Sequence, residues 1–220
     1  MTLRLVWATP DAEGTAMRLA SVVGGHVDRR AVGSSGGEPG GTTAAPSELV
    51  VPLVGGDVVI VPSPEPDRLL LPEPSRPDDR SGKVVLPGPE AGAAVLRGAP
   101  ALLGLGWATV DAERALPAVA NAVGLPPAAF RRASDDESLG ASALVGRLGA
   151  LAIAILEPTT EGRVAAALAR SGEGPCAIYV ATASSAASQP GPLGPAILAM
   201  ADRRWGPFVV AVRRRVAAPR

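Results

Sequence analysis

Histidine and cysteine are nearly absent from this chain of 220 residues, and each absence excludes a class of protein. One histidine, His26, and one cysteine, Cys176, cannot supply the four ligands that a structural zinc site usually needs. A single cysteine also excludes a disulfide framework within the chain. Any catalysis that depends on histidine would have to use His26.

The chain also lacks a long hydrophobic run and an excess of charge of either sign. A transmembrane helix needs about 20 apolar residues, whereas the best apolar run, Leu148–Leu156, is much shorter and contains Gly149. Basic and acidic residues both number 21, which argues against a nucleic-acid-binding protein that relies on a broad basic field. The N-terminal sequence has no apolar core of a secretory signal. We therefore expect a cytoplasmic protein that binds neither nucleic acid nor membranes.

An internal repeat is the most informative feature that is present. Residues Trp7–Glu13 (WATPDAE) recur as Trp107–Glu113 (WATVDAE), with six of the seven positions identical at an offset of 100. Alanine matches are expected by chance in a chain rich in alanine, but the tryptophan, threonine, aspartate and glutamate matches in one register are not. The repeat predicts two copies of one structural unit, produced by internal duplication.

Both copies have the same local pattern. A short apolar segment predicts a strand, and a Thr-X-Asp turn then interrupts it. Asp11 and Asp111 are predicted N-caps of the helices that follow, which end at Gly24 and Gly124. Three further strand signals come after each helix. Each copy is therefore predicted to fold as a β-α-β-β-β module.

The pattern divides the chain into four parts. The predicted boundaries are 1–64 for the first module, 65–100 for a Pro-rich linker, 101–158 for the second module and 159–220 for a C-terminal helix and strands. The C-terminal part resembles a third copy without its helix. Within the first module, the Gly- and Ser-rich segment 33–46 is predicted to be a flexible loop.

A tandem βαβββ arrangement resembles the vicinal oxygen chelate superfamily, which includes glyoxalases, extradiol dioxygenases, methylmalonyl-CoA epimerases and bleomycin-resistance proteins. The resemblance depends on the opening strand and turn Leu5–Asp11, on the closing strand Gly149–Pro158 and on the entry segment Ser171–Ile178. It implies an α+β fold in which tandem modules form a curved mixed sheet around a cup, with a partial third module.

Members of this superfamily usually hold a divalent metal with histidines on first strands and glutamates on fourth strands. Transferred to this chain, the first-strand positions fall at Arg4 and Gly104, and the fourth-strand positions fall near Ile60 and Ala154. The corresponding positions of the third copy hold Cys176 with Ala177, and Val210. None is a histidine or a carboxylate, and a catalytic metal needs about three such ligands. We therefore predict no metal and no cofactor.

Four residues are candidate ligand contacts: Arg4, Trp7, Trp107 and Arg147. The two tryptophans hold matched positions, and they either stack on a ligand in the cup or fill the core under the helices. An arginine in the cup would hold a carboxylate or phosphate through two hydrogen bonds, whereas the alternative is a solvated arginine at a strand edge.

Three other groups of residues have both a functional and an ordinary structural interpretation. His26 with Asp28 is either a general base or an exposed pair at a helix exit. Cys176 is either a nucleophile or a small buried residue. The arginines at 203–204 and 213–215 are either a site for an acidic partner or nucleic acid, or a solvated tail.

Three functions follow from these observations. The first is a metal-free domain of this glyoxalase-like kind that binds a small molecule in the cup between its modules. The second is a residual enzyme of the same superfamily with a rearranged site, and the third is a non-catalytic assembly module. The expected partners are a small-molecule ligand and a second copy of the chain in a homodimer.

Overall fold

The repeated sequence forms strands and helices in the same succession in both halves of the chain. The structure, a computed structural model, describes residues 3–31, 47–54, 56–65, 67–70, 101–182, 188–201 and 206–213. The strands are β1 (Leu3–Thr9), β2 (Asp28–Ala31), β3 (Ser47–Leu53), β4 (Gly56–Pro62), β5 (Arg68–Leu70), β6 (Leu102–Ala108), β7 (Arg131–Arg132), β8 (Ala141–Leu148), β9 (Leu151–Pro158), β10 (Gly174–Thr182), β11 (Ala196–Met200) and β12 (Phe208–Arg213). The helices are α1 (Ala12–Val23), α2 (Ala112–Ala122) and α3 (Arg163–Ser171), with a 3-10 turn at Pro127–Ala129.

Both helices that follow a first strand begin in the same way. Asp11 Oδ1 accepts a hydrogen bond from the Gly14 N–H at 3.0 Å, and Asp111 Oδ1 accepts one from the Arg114 N–H at 2.9 Å. Each aspartate thereby satisfies a donor of the first helical turn that lacks a partner within the helix. The repeated Thr-X-Asp turn is therefore a helix start in both modules.

The helix ends are matched as well. Gly24 and Gly124 both have φ of +70°, a conformation that is costly for residues with a Cβ atom. The next N–H groups donate back into the helices over 2.9 Å, from Gly25 to the Ala20 carbonyl and from Leu125 to the Ala120 carbonyl. The repeated glycine is thus the C-terminal stop that the sequence predicts.

Two mixed sheets are built from these elements. The first has the order β2-β3-β4-β1-β5 and the second has the order β11-β12-β10-β6-β9-β8-β7. Each complete module contributes four strands in one order, β2-β3-β4-β1 and β7-β8-β9-β6, with the first and last strands of the module parallel. The partial module repeats part of this order as β11-β12-β10, again with β10 and β12 parallel. The predicted α+β fold class, with tandem βαβββ modules and a partial third, is confirmed.

The pairing of the first strands differs from the expected cup between the first two modules. β6 pairs antiparallel with β10 of the partial module, whereas β1 pairs antiparallel with β5. A continuous sheet therefore joins the second and partial modules, whereas β5 occupies the corresponding edge of β1 in the first sheet. Strand β5 lies inside the predicted linker 65–100. Residues 71–100 of this linker and the predicted loop 33–46 are outside the described part of the chain.

The buried apolar residues form two main clusters on opposite faces of the second sheet. One cluster lies between the two sheets and contains the buried sides of α1 and α2; α1 contacts β3 and β4 of the first sheet and β10, β11 and β12 of the second. We call the side of the second sheet toward these helices its inner face. The opposite side, which carries Ala143, Ala154, Tyr179 and Val210 and contacts α3, is its outer face. No helix in the described ranges is long and apolar enough to cross a membrane.

Candidate functional site: a cleft on the outer face of the second sheet

The alternation of side chains along β8 places an arginine on the outer face. Ala141, Ala143 and Val145 belong to the outer-face cluster, and Arg147 continues the same alternation. Arg147 is exposed, since β8 ends one residue later at the turn into β9. Its guanidinium therefore stands at the rim of the outer face.

The Gly- and Pro-rich segment Gly191–Pro195 covers the part of this face next to Arg147. Gln189 and Ala196 exchange two backbone hydrogen bonds of 2.8 Å across the base of the segment. The Arg213 N–H donates to the Pro195 carbonyl at 2.7 Å and ties the segment to β12. Leu193 at its centre lies over Gly104, where a Cβ atom would come within 2.9 Å of Leu193 Cδ1. The segment is thus anchored at both ends and closely packed on the sheet.

These elements enclose a cleft of about 400 Å³ that is open to solvent. Apolar side chains form much of its surface, and an arginine lies on each of two strand ends. The cleft is lined by Leu103, Arg147, Ala150, Leu193, Gly194, Pro195, Val212 and Arg213. This volume is at the lower end of the range for pockets that bind small molecules.

The opposite end of the outer face is filled by a buried polar network. Asp136 is fully buried and accepts hydrogen bonds from Tyr179 Oη at 2.8 Å, Ser138 Oγ at 2.6 Å and the Leu139 N–H at 3.0 Å. The Leu139 carbonyl in turn accepts from the N–H of Val164 in α3. Because each of these groups is hydrogen-bonded, the network can be buried without a large penalty. It fills this end of the face.

Burial in this region suppresses the ionisation of two side chains. It raises the pKa of the Cys176 thiol to about 12, with the charge of Asp136 as a further cause. Burial and the same carboxylate raise the pKa of Tyr179 well above its ordinary value. Cys176 is 5% exposed and stays a thiol at neutral pH, so the structure favours its interpretation as a small buried residue over that as a nucleophile.

The segments behind the family resemblance support the start of α2. Glu157, at the end of the closing strand, accepts a hydrogen bond from the Ala112 N–H at 2.9 Å. Glu173, in the entry segment, accepts from the Thr109 hydroxyl at 2.7 Å and the Val110 N–H at 3.0 Å, and it also pairs with Arg114. These hydrogen bonds, that of Thr109 above all, lower the pKa of Glu173. Glu157 thus supports this helix start within the second module, and Glu173 ties the partial module to it.

The candidate ligand contacts of the sequence are not brought together. Trp7 is 1% exposed and lies in the cluster between the sheets, and Trp107 packs half-buried against the same cluster on the inner face. Core packing is therefore the arrangement that the structure shows for both tryptophans. The backbone of Arg4 pairs with Asp57 in the first sheet, and its side chain is outside the described part. Arg147 is the candidate that reaches the cleft.

The histidine lies in the first module, away from the cleft. Its Nε2 atom is 3.3 Å from Asp28 Oδ1, and the side chains are 73% and 43% exposed. This is the exposed pair at a helix exit that the sequence offered as the alternative to a general base. Neither His26 nor Asp28 lines the cleft.

The positions that correspond to the metal ligands of the resembled family lie on one face of each sheet, once the position near Ile60 is moved by one residue. Gly104 and Ala154 lie on the outer face of the second sheet. In the first sheet Ile60 belongs to the cluster between the sheets, so the position that matches Ala154 is Val59, one residue earlier. In the described ranges, no three histidine, cysteine, aspartate or glutamate side chains are grouped as metal ligands would be.

Sequence reasoning missed the second arginine of the cleft and the segment that covers it. The run Arg213–Arg215 on its own indicates either a solvated tail or a site for an acidic partner or nucleic acid, and it does not assign Arg213 to a cleft. The available signal was the GPLGP segment Gly191–Pro195, whose turn residues enclose one leucine between two strands. A turn of that composition beside the apolar strand Ala196–Met200 could have indicated a cover for the sheet.

Comparisons with known proteins give structural likenesses of low identity. Neither the family models nor the curated proteins include a match to this chain. Among solved structures, a variant of Streptomyces coelicolor methylmalonyl-CoA epimerase in complex with 2-nitronate-propionyl-CoA is 20% identical and aligns over 51% of this chain and 95% of its own, with a TM-score of 0.42. Methylmalonyl-CoA epimerase from Mycobacterium tuberculosis is 12% identical over 52% of this chain and 87% of its own, with a TM-score of 0.43. A hypothetical protein from Bacillus halodurans is 17% identical over 55% of this chain and 99% of its own, with a TM-score of 0.41. These values carry no information about activity.

Proposed function

We propose that this chain is a glyoxalase-like domain that binds a small molecule in the cleft on its second sheet, without a metal ion. The observation that carries the proposal is the cleft itself, a space of about 400 Å³ lined by apolar side chains and by two arginines at strand ends. Pockets of this kind combine apolar lining with a few polar groups that orient the ligand. The sequence hypothesis placed the ligand between the first two modules, and the proposal moves it to the sheet shared by the second and partial modules.

The metal-free part of the proposal is supported by the residues at the expected ligand positions. Gly104 and Ala154 have no side-chain atom that could donate to a metal ion. Metal analysis of the purified protein tests this part directly. We expect less than about a tenth of an equivalent of any transition metal, and a stoichiometric, tightly bound metal would overturn the metal-free assignment.

Blocking the cleft tests the binding function. Ala150 is exposed and lines the cleft, so Ala150→Trp adds bulk to the cleft without entering a core. Ala122 is exposed at the end of α2, and Ala122→Trp is the matched control. A thermal-shift screen of small molecules should give ligands that stabilise the parent and the control but not the blocked variant. Ligands that stabilise all three proteins equally would contradict binding in the cleft.

The filled end of the outer face favours a second candidate function, that of an assembly module. Tyr179 and Leu139 are fully buried there, and α3 contacts β6, β9 and β10. A face that is largely closed by its own chain needs no ligand for its stability. Retention of the whole protein in a stoichiometric complex, together with no ligand in the screen, would favour this candidate. We assign no catalysis to the cleft, because the His26–Asp28 pair belongs to the first module.

We also infer that the first two modules arose by duplication. The residues that recur at the offset of 100 have the same tasks in both copies, namely the N-caps Asp11 and Asp111 and the glycine stops Gly24 and Gly124. The equal strand order of the two modules supports the same inference.

A further inference from the structure

We infer that the ligand of the cleft is an oxyanion, a carboxylate or a phosphate, attached to an apolar body. This inference rests on the proposed function and names the chemical class of its ligand. Arg147 and Arg213 both line the cleft, and among the described residues that line it there is no aspartate or glutamate. A cleft with two cations and no anion attracts a negatively charged group.

The arginines of the cleft differ in their partners from several other arginines of the described chain. Five arginines elsewhere pair with carboxylates, namely Arg18 with Asp11, Arg29 with Glu13, Arg30 with Asp57, Arg68 with Glu65 and Arg114 with Glu173. Within the described ranges, Arg147 and Arg213 have no carboxylate within 4.0 Å. Their guanidinium groups therefore keep their donors available for an oxyanion, which each could bind through two parallel hydrogen bonds.

The remaining surface of the cleft determines the rest of the ligand. Leu103, Leu193 and Val212 provide apolar contacts, and in the part of the lining that the structure describes no side chain carries a hydroxyl, an amide or a carboxylate. A hydroxyl or ammonium group of the ligand that came to lie on this surface would lose water without gaining a side-chain partner. The charged end is therefore expected at the arginines and an apolar body on the leucines and Val212.

One series of probes with a common body separates charge from shape. The probes are 4-phenylbutyrate, 4-phenylbutyl phosphate, 4-phenylbutanol and 4-phenylbutylamine, and binding to the full chain is measured by NMR titration of the isotope-labelled protein. We expect the better of the two oxyanions to bind at least about tenfold more tightly than the alcohol, and the amine to bind most weakly. The ratio of the carboxylate to the phosphate identifies which headgroup the cleft prefers, and either preference supports the inference.

Three variants test the assignment to the two arginines. Arg147→Gln and Arg213→Gln should each weaken oxyanion binding about tenfold and leave the affinity for the alcohol unchanged. Arg132→Gln is the matched control, because Arg132 is exposed on β7 of the same sheet and pairs with Leu144 of the inner-face cluster, outside the cleft. All three arginines are exposed, so thermal melts should show folded proteins in each case.

Different binding results would contradict the oxyanion inference and the proposed function. Equal binding of the acid, the phosphate and the alcohol in the cleft, unchanged by the arginine variants, would overturn the oxyanion inference and leave small-molecule binding intact. An equal loss of affinity in Arg132→Gln would show that only overall charge matters and would also overturn it. Absence of binding by every probe at millimolar concentration would remove the support for both.

Discussion

The first and second modules have the same start and end to their helices and the same strand order, but different neighbours along their first strands. β1 pairs with the three-residue strand β5, whereas β6 pairs with the nine-residue strand β10. The second module is thereby extended into a seven-stranded sheet, and the first ends at five strands. The difference shows that a repeated sequence defines a module but not its partner.

The residues that differ between the modules are those that build the candidate site. The sheet registers match Arg4 with Gly104, Pro52 with Arg147 and Pro62 with Glu157. The second module thus has an arginine at the rim, a glycine where Leu193 approaches and a carboxylate at the start of α2. Repeated residues hold each module together, and the residues that changed make the second module able to carry a cleft.

The largest expected effect concerns the buried network of the second sheet. Asp136→Ala leaves the hydroxyls of Tyr179 and Ser138 and the Leu139 N–H without their acceptor, and we expect a loss of about 3 kcal/mol in the free energy of unfolding. Urea denaturation measures this loss. Asp135→Ala, at the exposed neighbouring position, should cost less than about 0.5 kcal/mol. Equal effects of the two changes would contradict a special role of this network.

A smaller effect is expected where the first strands of the modules differ. In Gly104→Ala the new Cβ atom would lie 2.6 Å from the Ala152 carbonyl oxygen and 2.9 Å from Leu193 Cδ1. Because the carbonyl belongs to a paired strand, the backbone must shift, and we expect a loss of about 2 kcal/mol. Gly172→Ala is a useful contrast, since no atom lies within 4 Å of its Cβ position and only its φ of +74° opposes the change. A fully stable Gly104→Ala protein would show that Leu193 does not pack closely on this strand.

The N-caps should give equal effects in the two modules. Asp11→Ala and Asp111→Ala each remove one side-chain acceptor from a first-turn N–H, so we expect each to cost about 1 kcal/mol. The ion pair of Asp11 with Arg18, which Asp11→Ala also removes, is exposed and adds little. Denaturation of both variants under the same conditions measures the pair. A cost several times larger in one module would break the equivalence of the repeated turns. Glu113→Gln is a control that retains both caps, because Glu113 is exposed in the first turn of α2.

The smallest effect is a pH dependence of stability. It is expected at the helix start of the second module and not at the matched turn of the first. The pKa of Glu173 is lowered in the folded protein, chiefly by the Thr109 hydroxyl. A carboxylate of this kind stabilises the folded state above its pKa in the unfolded chain, and this stabilisation is lost as the pH falls through the folded pKa. Glu173→Gln should therefore lower the denaturation midpoint at pH 7, and the difference from the parent should disappear in acid.

The control for this pH dependence is Glu161→Gln, which changes an exposed carboxylate at the beginning of the α3 region. We expect its midpoint to follow that of the parent at both pH values. A constant difference between Glu173→Gln and the parent from pH 7 into acid would mean that the side chain acts through packing rather than through its charge.

Local structure was largely predictable because it depends on neighbours in the sequence. The helices starting after Asp11 and Asp111 and their ends at Gly24 and Gly124 follow from caps, stops and apolar periodicity. The β-α-β-β-β succession of each module was predicted from the repeated pattern, whereas its strand order was not. The metal-ligand position at Ile60 was one residue out of register, because an apolar strand buried on both sides shows no alternation that would identify its faces.

The partners of the first strands could not be predicted in the same way. The strand Arg68–Leu70 lies in a Pro-rich segment that was predicted to be a linker, and only its pairing with β1 makes it a strand. The cleft depends on a turn near residue 193 lying over Gly104, about 90 positions earlier in the chain. Contacts of such sequence separation leave no local pattern, so Arg213 was not recognised as part of the cleft.

The position of α1 between the sheets has a consequence for the synthesis of the protein. One side of this helix packs on strands of its own module, but it also contacts β10, β11 and β12, which end at Arg213. During translation the first module therefore leaves the ribosome with part of its helix surface uncovered. That surface stays exposed to chaperones and to other nascent chains until about 150 residues beyond β4 have been added.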